Sequence, residues 1–305
     1  MGKNRKDDAP NPLHRWAILA LVRAPLLLPY GLRGPVVGWL MSRVVAPIAR
    51  YDQRVIDNLN YVLPDLDPAE VKRLSRAVPA NTGRMLIEIA SGDRFTDRIA
   101  KIQMQGPGLP ALDQARAEGR PIIVVSGHFG NFDAARAALA QRGHQIGALY
   151  RPVDDPVLDT EFHTVLSRIA APVFPRGRKG LGAMLRFLRK GNTVAILLDQ
   201  FVHEGAEVTF FGKPAPTSTS AAEMALKYGA LLIPVYGIRT GDGFDIIAEE
   251  PIPPSDAITM TQAINDSLEA RVRAHMDQWL WIHRRWKPEL QRTRAAAKTG
   301  PGPGA

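Results

Sequence analysis

From Pro121 to Glu250 the chain alternates short apolar runs with longer segments in which apolar and polar positions recur at helical spacing. The runs IIVVS, QIGALY, APVFP, NTVAILL, ALLIPVYGI and FDIIAEE predict strands. The segments NFDAARAALAQRG, PVLDTEFHTVLSRI, GRKGLGAMLRFLRKG and STSAAEMALKYG predict helices, and a loop, FVHEGAEVTFFGKPAP, precedes the last of these. A further helix is expected over 258–278. Apolar strands alternating with helices predict an α/β fold with a mainly parallel or mixed central sheet flanked by helices.

Upstream, residues 51–100 read as helical. Asp67 before Pro68 is a helix cap followed by a residue suited to the first turn. A short strand is expected within Lys101–Gly106, then a helix over LPALDQARAEG closed by Gly119. The first 13 residues are polar and charged and read as a mobile tail. The chain is then apolar from Trp16 to Gly31, interrupted by Arg23 and Pro25, and continues as LRGPVVGWLMSRVVAPIAR to Arg50. No uninterrupted run reaches the roughly 20 apolar residues that span a bilayer, and no small-residue site for signal cleavage follows. Arg23, Arg33 and Arg43 among Leu, Val and Trp fit helices lying at a membrane interface with their basic stems snorkelling. The alternatives are a helical hairpin packed on the domain, or a spanning helix if Arg23 snorkels. The expected organisation is therefore a basic tail and membrane-associated helical region over 1–50, an α/β domain over 51–290, and a disordered tail over 291–305 ending in GPGPGA.

Composition narrows the chemistry. With no cysteine, disulfides, thiolate metal sites and thiol nucleophiles are excluded. An apolar fraction of 45% is that of a globular chain, and 305 residues suit one α/β domain with additions. The formal charge of +9 favours an anionic partner. No zinc-finger spacing or aromatic RNA-binding strand is visible, so a membrane surface and an acidic carrier protein rank above nucleic acid.

The strand IIVVS empties into Gly127-His128-Phe129-Gly130, and Asp133 follows five residues after His128 in the first turn of the next helix. An imidazole at a strand's carboxyl end, with a carboxylate in reach to hold one ring nitrogen, is a candidate general base. Ser126 precedes His128 and lacks the G-x-S-x-G setting of a hydrolase elbow, which favours direct transfer to a substrate hydroxyl over a covalent intermediate. Arg151 follows QIGALY, while Arg176, Arg178 and Lys179 open the next helix, so these cations form a candidate anion cradle. Asp199 and Gln200 end NTVAILL, where a charge would be costly if buried, and are candidates to orient the arginines or bind substrate hydroxyls. Asp199, His203 and Glu204 lack an established metal-site spacing. The stretch WLWIHRRWK, Trp279 to Lys287, fits either lipid headgroups at an interface or a packed helix with a basic face.

Taken in order, DNLNYVLPDL, GHFGNFD, YRPVDDP, PRGRKGLGAMLRFLRKG, ILLDQ, VTFFGKPAPTSTSAAEMAL and WIHRRWK resemble the bacterial lipid A biosynthesis acyltransferases of the lauroyl and myristoyl type, within the lysophospholipid acyltransferase-like superfamily. The resemblance implies His128 as catalytic base and Asp133 as its partner, with Arg151, Arg176 and Lys179 holding an acceptor phosphate or the developing oxyanion. It implies no cofactor beyond the donor, a thioester of acyl-carrier protein or CoA, and an anionic lipid acceptor: a lipid A precursor, with lysophospholipids, ornithine lipids or other glycolipids as alternatives. A lipid ester or thioester hydrolase using the same base on water is the competing activity. The family's inner-membrane location, with the active site facing the cytoplasm, is expected to carry over. Nearest members often have Glu where this chain has Asp133.

Overall fold

The computed structural model describes residues 15, 19, 20, 22–241 and 243–287. The tails expected over 1–13 and 291–305 lie outside the described residues.

The sheet is built from β1 (Met104–Gln105), β2 (Ile122–Ser126), β3 (Ile146–Tyr150), β4 (Val173–Pro175), β5 (Thr193–Leu197), β8 (Leu231–Thr240) and β9 (Gly243–Ala248). Their spatial order is β1-β9-β8-β2-β5-β3-β4. All neighbours run parallel except β8 and β9, which are antiparallel, so the sheet is mixed, as the alternation of runs predicts. β2 is buried along its whole length between β5 and β8. Its alternating side chains feed two cores, with Ile122 and Val124 on one face and Ile123 and Val125 on the other. Each such side chain contributes about 1.5–3 kcal/mol relative to exposure.

The first face is covered by α5 (Asp93–Ile99), α6 (Leu109–Ala117), α7 (Phe132–Gln141) and α8 (Pro156–Ile169), the second by α9 (Arg178–Leu188), α10 (Ser220–Tyr228) and α11 (Ala257–Ala274). The helix expected over 258–278 ends at Ala274. His275 leaves helical geometry at φ −140° and a short 3-10 turn covers Met276–Gln278. A third apolar cluster joins α3 (Tyr51–Val62) and α4 (Pro68–Ala90) to Phe210, Phe211, Trp279, Trp281 and Trp286. At the start of α4 the Asp67 carboxylate accepts from the Ala69 N–H at 2.8 Å, as the cap motif predicts. The hairpin β6 (Thr209–Phe210) and β7 (Lys213–Pro214) lies inside the stretch expected to be a loop. Its two-residue strands are too short to leave a periodic signal, and its turn holds Phe211 at φ 53° and Gly212 at φ 65°.

The amino-terminal expectation is corrected. No helix among the described residues is long and apolar enough to cross a membrane. A 3-10 turn (Ala24–Leu27), α1 (Tyr30–Leu40), a π turn (Met41–Val45) and α2 (Ala46–Ala49) break the segment into short pieces. At about 1.5 Å per residue, the 11 residues of α1 cover only about half of a ~30 Å hydrocarbon core. Arg33 does not snorkel: it is 5% exposed and donates to the Leu26 and Leu28 carbonyls and to Ser91 Oγ. Arg23 pairs with Glu161 at 2.7 Å. α1 and the π turn pack against α4, and α2 packs against α3; the expected membrane-associated region, and the inner-membrane placement resting on it, are thereby overturned.

WLWIHRRWK differs from both of its expected roles. It is not helical, and its tryptophans are not at the surface: Trp279, Trp281 and Trp286 are buried and their rings pack together, Trp279 on Trp281 at 4.8 Å. Arg285 is 0% exposed and donates to the carbonyls of Gln200, Ala215 and Pro216 at 3.2, 3.1 and 2.8 Å. Burial lowers its pKa to about 10. Arg285→Ala would take the donor from the Gln200 carbonyl, leave Ala215 and Pro216 with only Thr217 Oγ1 and the Val202 N–H, and empty a buried site; it is expected to lower the unfolding free energy by about 3 kcal/mol or more, read as a shifted urea midpoint.

Candidate active site

The carboxyl end of β2 opens into a loop clamped by backbone bonds. Gly130 N–H donates to the Gln278 carbonyl at 2.9 Å, Asn131 N–H to Gly237 at 2.8 Å, and Leu280 N–H to the His128 carbonyl at 3.0 Å. Gly130 sits at φ 56°, and a Cβ there would lie 2.0 Å from the Gly237 carbonyl oxygen, so the loop closes only with glycine at this point. Asn131 then caps α7, its side-chain oxygen accepting from the N–H groups of Asp133 and Ala134.

His128 is fixed by Asp199 rather than by Asp133. Its Nδ1 lies 2.8 Å from Asp199 Oδ1, while Asp199 Oδ2 accepts from the His128 backbone N–H at 2.7 Å and from Trp279 Nε1 at 2.9 Å. The cause is the sheet register: β2 and β5 run parallel with Ser126 opposite Leu197, which places the residues two positions beyond each strand end side by side. Asp199 is 4% exposed. Burial alone would raise its pKa, but the His128 charge and the convergent donors prevail and hold it down at about 2. Burial likewise disfavours a charged His128 ring, yet the Asp199 charge and hydrogen bond outweigh it and raise the ring's pKa above the usual 6.5. With Asp199 ionised, Nδ1 carries the proton, and Nε2 is left as the basic nitrogen with no protein hydrogen bond among the described residues.

His128 lines a cavity of about 960 Å³, at the upper end of ligand-pocket sizes. Its walls are mainly apolar, including Val124, Ile146, Leu166 and Val173. Asp133 is on the same wall, but its Oδ1 accepts from Arg136 Nε at 2.7 Å in a buried ion pair. Asp133 and Ser126 both line the cavity, and Asp133 Oδ2 and Ser126 Oγ are buried without a hydrogen-bond partner among the described residues. Arg151, Arg168 and Arg176 also line the cavity and carry no ion pair among the described residues. Lys179, expected beside them, is exposed on α9 and is not part of the cavity wall. Gln200 lines the cavity, and its carbonyl is held by Arg285. Asp199, expected to meet substrate or the arginines, is instead the carboxylate bound to His128.

Two contributors were not anticipated. Trp279 was visible only as an aromatic in a basic stretch, and nothing local in the sequence ties it to a carboxylate 80 positions away. Arg136 does have a local signal, since it stands three residues after Asp133 on one helix face. Among the described residues no group of His, Asp and Glu is arranged to hold a metal ion.

The model of the bacterial lipid A biosynthesis acyltransferase family matches residues 1–288. The chain is 26% identical over 238 residues to the lipid A biosynthesis lauroyltransferase of Escherichia coli, covering 75% of this chain and 77% of that one. It is 26% identical over 195 residues to a phosphatidylinositol mannoside acyltransferase of Mycobacterium tuberculosis, a match spanning only 62% of either chain. Over 300 residues it is 21% identical to the lipid A biosynthesis acyltransferase 2 of Shigella flexneri, covering 94% of this chain and 92% of that one.

Proposed function

The chain belongs to the bacterial lipid A biosynthesis acyltransferase family, and on that premise we propose that it moves an acyl chain from the thioester of an acyl-carrier protein to a hydroxyl of a lipid A precursor. One observation carries the proposal: a histidine oriented by a buried carboxylate lines a large, mainly apolar cavity together with Arg151, Arg168 and Arg176, which carry no ion pair among the described residues.

In the proposed reaction the acceptor hydroxyl gives its proton to His128 Nε2 as its oxygen bonds to the thioester carbonyl carbon. The tetrahedral oxyanion collapses, the carbon–sulfur bond breaks, and the leaving thiolate takes the proton back from Nε2. No acyl-enzyme forms. Asp199 holds the ring and stabilises the transient imidazolium. Arg151 and Arg176 bind the acceptor's phosphate or the oxyanion, while Lys179 can meet an anionic substrate only outside the cavity. Asp133 acts less directly, through its buried ion pair with Arg136 at the cavity. Apolar walls suit the acyl chain, and CoA is the alternative donor. The mycobacterial relative is named for a mannosylated phosphoinositide, which makes a phosphorylated glycolipid of that kind the second acceptor to assay.

The test is mass spectrometry of products after purified protein meets acyl-carrier protein thioester with each acceptor. Acylated lipid is the expected product; free fatty acid, with acceptor unchanged, would identify a hydrolase. The pH dependence has a definite sign. Base catalysis needs the neutral ring, so kcat/KM should rise with pH through an apparent pKa above 6.5, while Asp199 stays ionised throughout the working range. The stability contribution of the pair runs the other way. It is fullest between the ordinary carboxylate value of 3.8 and the ordinary ring value of 6.5, fades as pH rises through the raised ring pKa, and is lost in acid as pH falls towards about 2.

A further inference from the structure

α9 (Arg178–Leu188) and the residues just after it carry Arg178, Lys179, Arg186, Arg189 and Lys190, and no acidic residue stands between Arg178 and Lys190. All of these cations are exposed, and none forms an ion pair among the described residues. The other described helices that carry more than one charge mix both signs. Gly180, Met184 and Leu188 form the buried face of α9. At about 100° per residue, the five cations fall within about 60° of the direction opposite Met184, so they make one stripe along the outward face.

Helix stability accounts for only part of this stripe. Arg186, Arg189 and Lys190 near the carboxyl end complement the helix dipole, but Arg178 and Lys179 occupy the first turn, where positive charge is unfavourable. The first turn follows directly on Arg176, whose side chain lines the cavity. The stripe therefore leads along the surface to the cavity's cationic wall.

We propose that this face of α9 docks the acidic acyl-carrier protein, an acidic helix of the carrier lying along the stripe so that its thioester-bearing arm enters the cavity beside Arg176. The inference rests on the acyl-transfer reading and adds the surface that selects a protein-borne donor over a small thioester. Complementary charge of this kind acts mainly on encounter rate and specificity and is screened by salt.

The variants are Arg186→Glu/Arg189→Glu and its neutral counterpart Arg186→Gln/Arg189→Gln, at exposed positions away from the cavity. Binding of fluorescently labelled holo carrier protein is measured first, because it needs no turnover. Each reversal removes an attraction and adds a repulsion, so dissociation should strengthen about tenfold or more in the Glu pair and less in the Gln pair. Wild-type binding should weaken as sodium chloride rises. KM for acyl-carrier protein should rise in parallel, while turnover of a neutral acyl N-acetylcysteamine thioester stays at the wild-type value. Equal carrier binding by all three proteins, or no binding by wild type, overturns the docking face. So does a Glu pair that loses anionic vesicles but keeps the carrier. A wild type that binds carrier yet acylates nothing from either donor counts against the proposed reaction and leaves the docking face supported.

Discussion

Replacing His128 with alanine is expected to lower acyl transfer by about 10²- to 10⁴-fold, the span that positioned general bases contribute. The ring's Nε2 has no hydrogen-bond partner among the described residues and His128 lines the cavity, so its loss removes the base without filling the space. The carrier thioester should still bind, since the cavity walls and the face of α9 are untouched. The loss should therefore fall on kcat in single-turnover assays. Folding needs its own check, because Asp199 is buried and would lose its cationic partner, keeping only the backbone N–H and the Trp279 N–H. His128→Gln is the control for this effect, as its amide can donate to the carboxylate but cannot serve as a base. Equal turnover in His128→Gln and wild type would remove His128 from the reaction.

The strand ends were legible because a buried strand writes a continuous apolar run: IIVVS coincides with β2, and NTVAILL contains β5. Strand order was not legible, and strand order decides which carboxylate meets His128. A local reading sees Asp133 five positions away, whereas Asp199 is 71 positions away and becomes a neighbour only when β5 lies parallel to β2 in the observed register. The sequence did carry a hint, since a charge ending an apolar strand is costly unless used. Arg151 follows β3 as the apolar run QIGALY predicts, and Arg176, expected to open a helix, instead directly follows β4; periodicity cannot say that Lys179 turns outward with the α9 stripe. Arg33 and the tryptophans of WLWIHRRWK failed for a common reason: cations among aromatics suggest an interface, yet here carbonyls and a carboxylate inside the fold satisfy their donors.

The two carboxylates make opposite claims on the pH profile, and this separates them. In Asp199→Asn, three donors (the His128 ring, the His128 backbone N–H and the Trp279 indole) face a side chain with one acceptor oxygen instead of two. At least one of them confronts an amide NH2, the ring tautomer is no longer fixed, and the charge that raises the ring's pKa is gone. Turnover should fall by about 10²- to 10⁴-fold, as when a base loses its orienting carboxylate, and the residual activity should titrate at a lower pH than wild type. Asp133→Asn keeps an oxygen for Arg136 Nε and leaves the His128–Asp199 pair intact. Its loss should be smaller, and its ascending limb should stay at the wild-type position. If Asp133→Asn instead shifts the limb while Asp199→Asn does not, the orienting role belongs to Asp133. The hydrogen bond between His128 and Asp199 would then be structural, and the working geometry would have to form when substrate enters the cavity.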